Sequence, residues 1–235
     1  MSFDVDEDLA LLYGIMLGDG CLSLVSGKKK FVTITGSSRD DLPFFVEVVS
    51  PLLKKFRGKE TKIKFRKDCN AIEFNFTDKN LFDFLHSLGF PIGKKGDKLF
   101  IPRVFYDENL VEHVINGFFA TDGSLVLTRN PNKYYPRLEA HVISKTLLFE
   151  IYSYLLSIGM NGGFYLNKSK PDPRWRTSQD KYRFQFNGKE NLIKFRKDIG
   201  FVNPKYEEKF NNFINYSDEY DLRIKGQPST KLKMS

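Results

Sequence analysis

A chain that carries one pattern twice is constrained to build one unit twice, and that constraint outranks local propensity. FNFTDKNLFDFLHSLGF at 74–90 returns as FQFNGKENLIKFRKDIGF at 184–201 with one inserted residue. Phe74, Phe76, Leu81, Gly89 and Phe90 thereby pair with Phe184, Phe186, Leu192, Gly200 and Phe201. LLYGIMLGDG at 11–20 is answered by HVINGFFATDG at 113–123, so Asp19 maps onto Asp122.

The apolar period switches between about 3.6 and 2 in the same order in both copies, which reads as helix, strand, strand, helix, strand, strand, helix. The first copy predicts helices over 8–18 and 41–56, strands over 20–24, 31–35, 62–66 and 71–76, and a closing helix capped by Asp78. The second predicts helices over 108–121, 145–158 and 189–199, with strands over 123–128, 137–143, 163–168 and 181–186. The expected fold is therefore α+β, two pseudo-symmetric αββαββα repeats. Residues 1–88 and 107–216 are the repeats, 89–106 a connector rich in Gly, Pro and Lys, and 217–235 a basic, flexible tail. Pro171, Pro173 and Ser178 mark 167–180 as a long hairpin loop.

Lys and Arg number 37 against 29 Asp and Glu, a net charge of +8 that favours a polyanionic partner without specifying a fold. With 41% hydrophobic residues the chain can bury an ordinary core unaided. Cys21 and Cys69 form no CxxC pair, which argues against a disulfide framework or a zinc site. Asp4, Asp6, Glu7 and Asp8 replace the basic start of an export signal, and no apolar run approaches the roughly 18 residues that span a bilayer. An intracellular setting, cytoplasm or organelle matrix, with no membrane partner is expected.

Gly14 and Gly18 lie four apart on one helix face, and Gly117 and Thr121 repeat that face. Small residues let two helix backbones approach closely. If these helices pack together there, Asp19 and Asp122 arrive at the same end of the pair. Two adjoining carboxylates need a shared proton or a cation, and hard oxygen ligands suit Mg²⁺ or Ca²⁺. The plainer alternative is that each Asp-Gly simply ends a helix and turns the chain.

LYGIMLGDG at 12–20 and INGFFATDG at 115–123, set in matching repeats over about 8–210, resemble the LAGLIDADG homing endonucleases of the two-motif type. Asn116, Ala120 and Thr121 depart from the usual second motif, whose final acid is retained. The resemblance implies a monomer in which the motif helices form the interface between repeats. It also implies that each repeat offers double-stranded DNA a saddle, an antiparallel four-stranded sheet, at a long and near-asymmetric site. Asp19 and Asp122 would be metal ligands, with the carbonyls of Gly18 and Thr121 as further ligands. The cofactor would be Mg²⁺, with Ca²⁺ or Mn²⁺ able to substitute for binding. A basic residue near each cleavage centre is also implied, and Lys94 and Lys205, each four after the paired phenylalanines, take those places. Both equally fit exposed loop lysines. The polar residue usual at the end of each second strand corresponds to Gly36 and Ser144, and the missing Gly36 side chain predicts that one strand is cut faster. The rival on the same fold is an RNA maturase or DNA-binding regulator that has lost cleavage.

Alternation supplies the expected reading surface. Lys62, Lys64 and Arg66 oppose Ile63 and Phe65; Glu73 and Asn75 oppose Ile72, Phe74 and Phe76; Lys181, Arg183 and Gln185 oppose Tyr182, Phe184 and Phe186. Arg129 and Arg137 belong with these DNA contacts, and Lys28, Lys30, Lys168, Lys170, Arg174 and Arg176 are expected to clamp the phosphate backbone. A solvated sheet face is the plainer alternative. Trp175, in the same loop, either packs on sugar or covers its own loop.

Overall fold

The computed structural model describes residues 3–66, 69–130, 133–168 and 180–224, with backbone alone at 129–130, 133–134 and 216–224. Helix α1 (Glu7–Asp19) starts on Asp6, whose carboxylate accepts from Leu9 N at 2.9 Å. It runs directly into β1 (Gly20–Val25), which pairs antiparallel with β2 (Lys29–Ser37).

The next helix is composite. Its pieces are α2 (Leu42–Phe44), a π turn at Phe45–Val49 and α3 (Ser50–Arg57). Pro51 explains the wide turn: its ring cannot donate a hydrogen bond and crowds the carbonyl four residues back, that of Glu47. Next come β3 (Lys64–Arg66), β4 (Ala71–Thr77) and α4 (Lys79–Ser87), which Asp78 caps by accepting from Leu81 N at 3.1 Å.

The second repeat follows the same order: α6 (Val111–Asp122), β5 (Gly123–Asn130), β6 (Lys133–Val142), α7 (Lys145–Ser157), β7 (Gly162–Asn167), β8 (Lys181–Asn187) and α8 (Lys189–Asp198). Two four-stranded antiparallel sheets result, ordered β1-β2-β4-β3 and β5-β6-β8-β7. One face of each is core. Val32, Ile34, Phe74, Leu138, Ala140, Phe184 and Phe186 are buried there beneath the helices, and Phe45 stacks on Phe74 at 5.3 Å.

Three features depart from the expected pattern. The connector holds a short helix, α5 (Arg103–Asp107), which places Phe105 against Tyr13. A further helix, α9 (Pro204–Ile224), crosses residue 216, where the second repeat was expected to give way to a tail. Tyr206 and Phe213 bury its inner side, whereas polar residues elsewhere along it hide its period. The third is β3, three residues long at a sheet edge with a single neighbour, which leaves Phe65 60% exposed rather than in the core.

Candidate active site

Helices α1 and α6 pack through their small residues. A Cβ added to Gly14 would lie 2.8 Å from Phe118 N, and one on Gly117 would lie 2.9 Å from Ile15 N. Neither separation is sterically tolerable, so backbone packs on backbone. At the next turn Gly18 faces Thr121, whose hydroxyl donates back to Phe118 O at 2.9 Å. A Cβ on Gly18 would stand 2.8 Å from that of Thr121 and 3.4 Å from the Asp122 carboxyl carbon. The glycine makes room for the threonine.

Both helices stop on their acid. Gly20 and Gly123 are extended, at φ −83 and −77, and each N–H bonds the carbonyl four residues back. Asp19 and Asp122 thus stand on the last residue of two adjacent helices, where outward-pointing carbonyls add partial negative charge. Burial pushes the Asp19 carboxyl up to about 7, and the charges of Asp122 and Asp41 push the same way against Lys95 and Lys205. Burial likewise raises Asp122, opposed by Lys95 and Lys181. Two carboxylates held in this way are short of positive charge, which is the condition a divalent cation relieves.

The donor set fits such an ion through hard oxygens. Among the described residues no group of three or more His, Cys, Asp or Glu converges, so water and a bound phosphate would have to complete its shell. The Gly18 carbonyl, expected as a ligand, instead accepts from Lys95 Nζ, which also bonds Leu17 O at 3.0 Å. The lysine that lies beside the acids is Lys95, whereas Lys94, expected there, is exposed. Gly93 and Gly96, at φ +81 and +55, bend the chain on either side of Lys94 and Lys95. Burial lowers the Lys95 pKa, and the two acids oppose that shift.

Lys205 lies at the start of α9, within electrostatic reach of Asp19. Its Nζ is 2.6 Å from Asp41 Oδ1, and Asp41 Oδ2 accepts from Ser37 N at 2.8 Å. Asn203 and Tyr206 brace the neighbouring helix end. Asn203 Nδ2 donates to Ala120 O at 2.8 Å, and the Tyr206 hydroxyl donates to Gly123 O. Asp41, Asn203 and Tyr206 carry no motif signal. Asp41 sits in a four-residue link between β2 and α2 that is two residues long in the second repeat, and the other two lie beyond the repeated segment.

Gly36 and Ser144 contribute no side-chain polar group to the two acids; Gly36 lies behind Asp41, where an added Cβ would stand 3.3 Å from the Asp41 Cβ. A Cβ on Gly36 would run into the Phe45 ring, on the core side. Ser144 is 1% exposed; it accepts from Leu147 N to cap α7 and donates to Leu99 O at 2.8 Å.

The sheet faces away from the core are polar. Asn75 Nδ2 donates to Thr33 Oγ1 at 3.0 Å, Lys64 Nζ to Asn75 O at 3.2 Å and Gln185 Nε2 to Asn187 Oδ1 at 2.8 Å. Glu73 stands opposite Thr35 and Lys64 in the register, Arg137 Nη1 is 3.7 Å from Glu139 Oε2, and the Arg183 guanidinium lies 5.2 Å from the Tyr165 ring centre. Lys28, Lys62, Lys168 and Lys181 are exposed, and Arg66 closes the edge strand. Lys30, expected as a phosphate clamp, lies away from these polar faces. It shares parity with Val32 and Ile34, points to the helical side and pairs with Asp83. Lys170, Arg174, Trp175 and Arg176 lie outside the described residues, as does the Arg129 side chain.

Residues 110–200 match the family model of the LAGLIDADG-like domain. The chain resembles the solved homing endonuclease I-DmoI at 20% identity and TM-score 0.56, over 82% of this chain and 95% of that one. It resembles the LAGLIDADG homing endonuclease I-LtrWI bound to target DNA at 11% identity and TM-score 0.58, over 94% and 92% of the two chains. The meganuclease I-AabMI bound to uncleaved DNA aligns at 14% identity and TM-score 0.54, over 93% of each. No curated protein matches at the sequence level. The fold is that of the single-chain, two-domain LAGLIDADG homing endonucleases.

Proposed function

We propose that this protein is a site-specific endonuclease that cuts both strands of duplex DNA as a monomer inside the cell. One observation carries the reading: Asp19 and Asp122 end two helices that pack backbone to backbone, on the seam between two polar-faced sheets. A structural role alone gives no reason to bury two acids side by side. Similarity to I-DmoI in complex with DNA and Ca, at TM-score 0.58, supports the same reading.

In this reading Asp19 and Asp122 hold divalent metal, Mg²⁺ in the working enzyme. Bound there, the metal would activate water and offset charge on the leaving oxygen. Lys95 and Lys205 flank the acids and stabilise charge that builds on the phosphate. The exposed and sheet-face residues Lys28, Lys62, Lys64, Arg66, Glu73, Asn75, Arg137, Lys168, Lys181, Arg183 and Gln185 meet DNA, the basic ones supplying charge and the amides reading base edges.

The test is to incubate the protein with a randomised duplex library and Mg²⁺ and to sequence the ends produced. Enrichment of one long site among cut ends is expected. Retention of a sequence without new ends would replace this reading by a binding function on the same fold.

A further inference from the structure

The two lysines at the seam are held differently. Lys95 Nζ is bound by the neutral carbonyls of Leu17 and Gly18, and among the described residues no carboxylate is locked onto its charge. Lys205 Nζ is bound by a carboxylate, Asp41, at 2.6 Å, and both side chains are largely withdrawn from water, at 27% and 14% exposed. The carbonyl of Ala120, which corresponds to that of Leu17, is taken by Asn203 instead. A lysine is therefore not needed there, and Lys205 is free to reach across to the first repeat.

The difference originates in chain length. Between β2 and α2 the first repeat has four residues, Ser38 to Asp41, whereas the second passes from Val142 to Lys145 through Ile143 and Ser144. Asp41 precedes α2 without capping it, so its carboxylate remains available to Ser37 N and Lys205. At the matching place Ser144 is committed to Leu147 N and Leu99 O.

We propose that Asp41 is a positioning residue that holds Lys205 in a neutralised pair and so makes the two cleavage centres unequal. This rests on the nuclease reading above. A charge compensated at hydrogen-bond distance projects little field onto a neighbouring phosphate, and releasing it means breaking a charge-assisted bond. The strand attended by Lys95 is then cut first, and the strand attended by Lys205 lags.

The test uses a supercoiled plasmid bearing the selected target, with the two strands labelled separately and their nicking rates measured in Mg²⁺. For the wild-type chain a rate ratio of about tenfold or more is expected, equivalent to about 1.4 kcal/mol between the two barriers. Asp41→Asn should speed the lagging strand and bring the ratio within about threefold, a change that general loosening of the fold would not produce. Lys205→Met should slow the lagging strand selectively, and Lys95→Met the leading one. If Asp41→Asn folds poorly, these two variants still decide the assignment. Cleavage with a ratio unmoved by Asp41→Asn, or Lys205→Met slowing the leading strand, overturns the proposal alone. Absence of any nicking by the wild-type chain overturns it together with the nuclease reading.

Discussion

Asp19→Asn removes the one ionisation that the seam resists most, and its effect on stability has a definite sign. The carboxyl titrates at about 7 in the folded chain against an ordinary value of 3.8. A group raised by folding keeps its proton longer in the native than in the unfolded state. Its stabilising effect is full below the unfolded value, drains away as pH climbs toward the folded one, and is gone above it. At about 1.4 kcal/mol per unit the ceiling is about 4 kcal/mol, part of it shared with Asp122. For a chain of this size that corresponds to a loss of ~10 °C in melting temperature between about pH 4 and pH 8. Asparagine has no proton to lose. In a chelating buffer the variant should therefore gain on the wild type steadily across that window, as followed by scanning calorimetry. Adding Mg²⁺ at about pH 8 should restore the wild type and leave the variant unmoved, since only the former keeps both ligands. A wild-type-minus-variant difference that stays flat with pH would refute the argument that these acids crowd each other in a buried seam.

Asp122→Asn should abolish double-strand cleavage while leaving target affinity within about threefold, as read by cleavage and gel-shift titration of one preparation. Gly14→Ala should cost about 1–3 kcal/mol or more in urea unfolding, because the new methyl meets the α6 backbone, which cannot swing aside as a side chain would. Gly27→Ala, at φ +67 with open space around it, should cost only about 1 kcal/mol for its left-handed backbone. Lys95→Ala should slow cleavage by about a hundredfold, whereas Lys94→Ala should leave cleavage near wild type. Target affinity should fall steeply with added salt, and a dissociation constant flat between low and moderate salt would count against phosphate contacts.

What the sequence disclosed followed the strength of its periodicities. The helix pair and both sheets were legible because Gly14, Gly18 and Gly117 recur at helical spacing and Phe74, Phe76, Phe184 and Phe186 alternate. The acids were legible because each closes a repeated motif. The side chains that surround them come from segments without a period. Lys94 and Lys95 are chemically identical in sequence, and only the folded loop, bent by left-handed glycines on either side of them, distinguishes the one that faces Asp122. Gly36 has no side chain in the sequence to show its facing; the sheet turns it toward the Phe45 ring and the base of the Asp41 side chain. Lys30 shares that facing, its place in the strand directing it to Asp83. Asp41 was hidden by its own asymmetry, since the repeats disclose what they share and the residue that precedes the matching helix, Ser144, is not an acid. Duplication thus exposes the common machinery and conceals what distinguishes the halves, so a difference between the two cleavage centres has to come from residues such as Asp41 and Asn203, outside the repeated pattern.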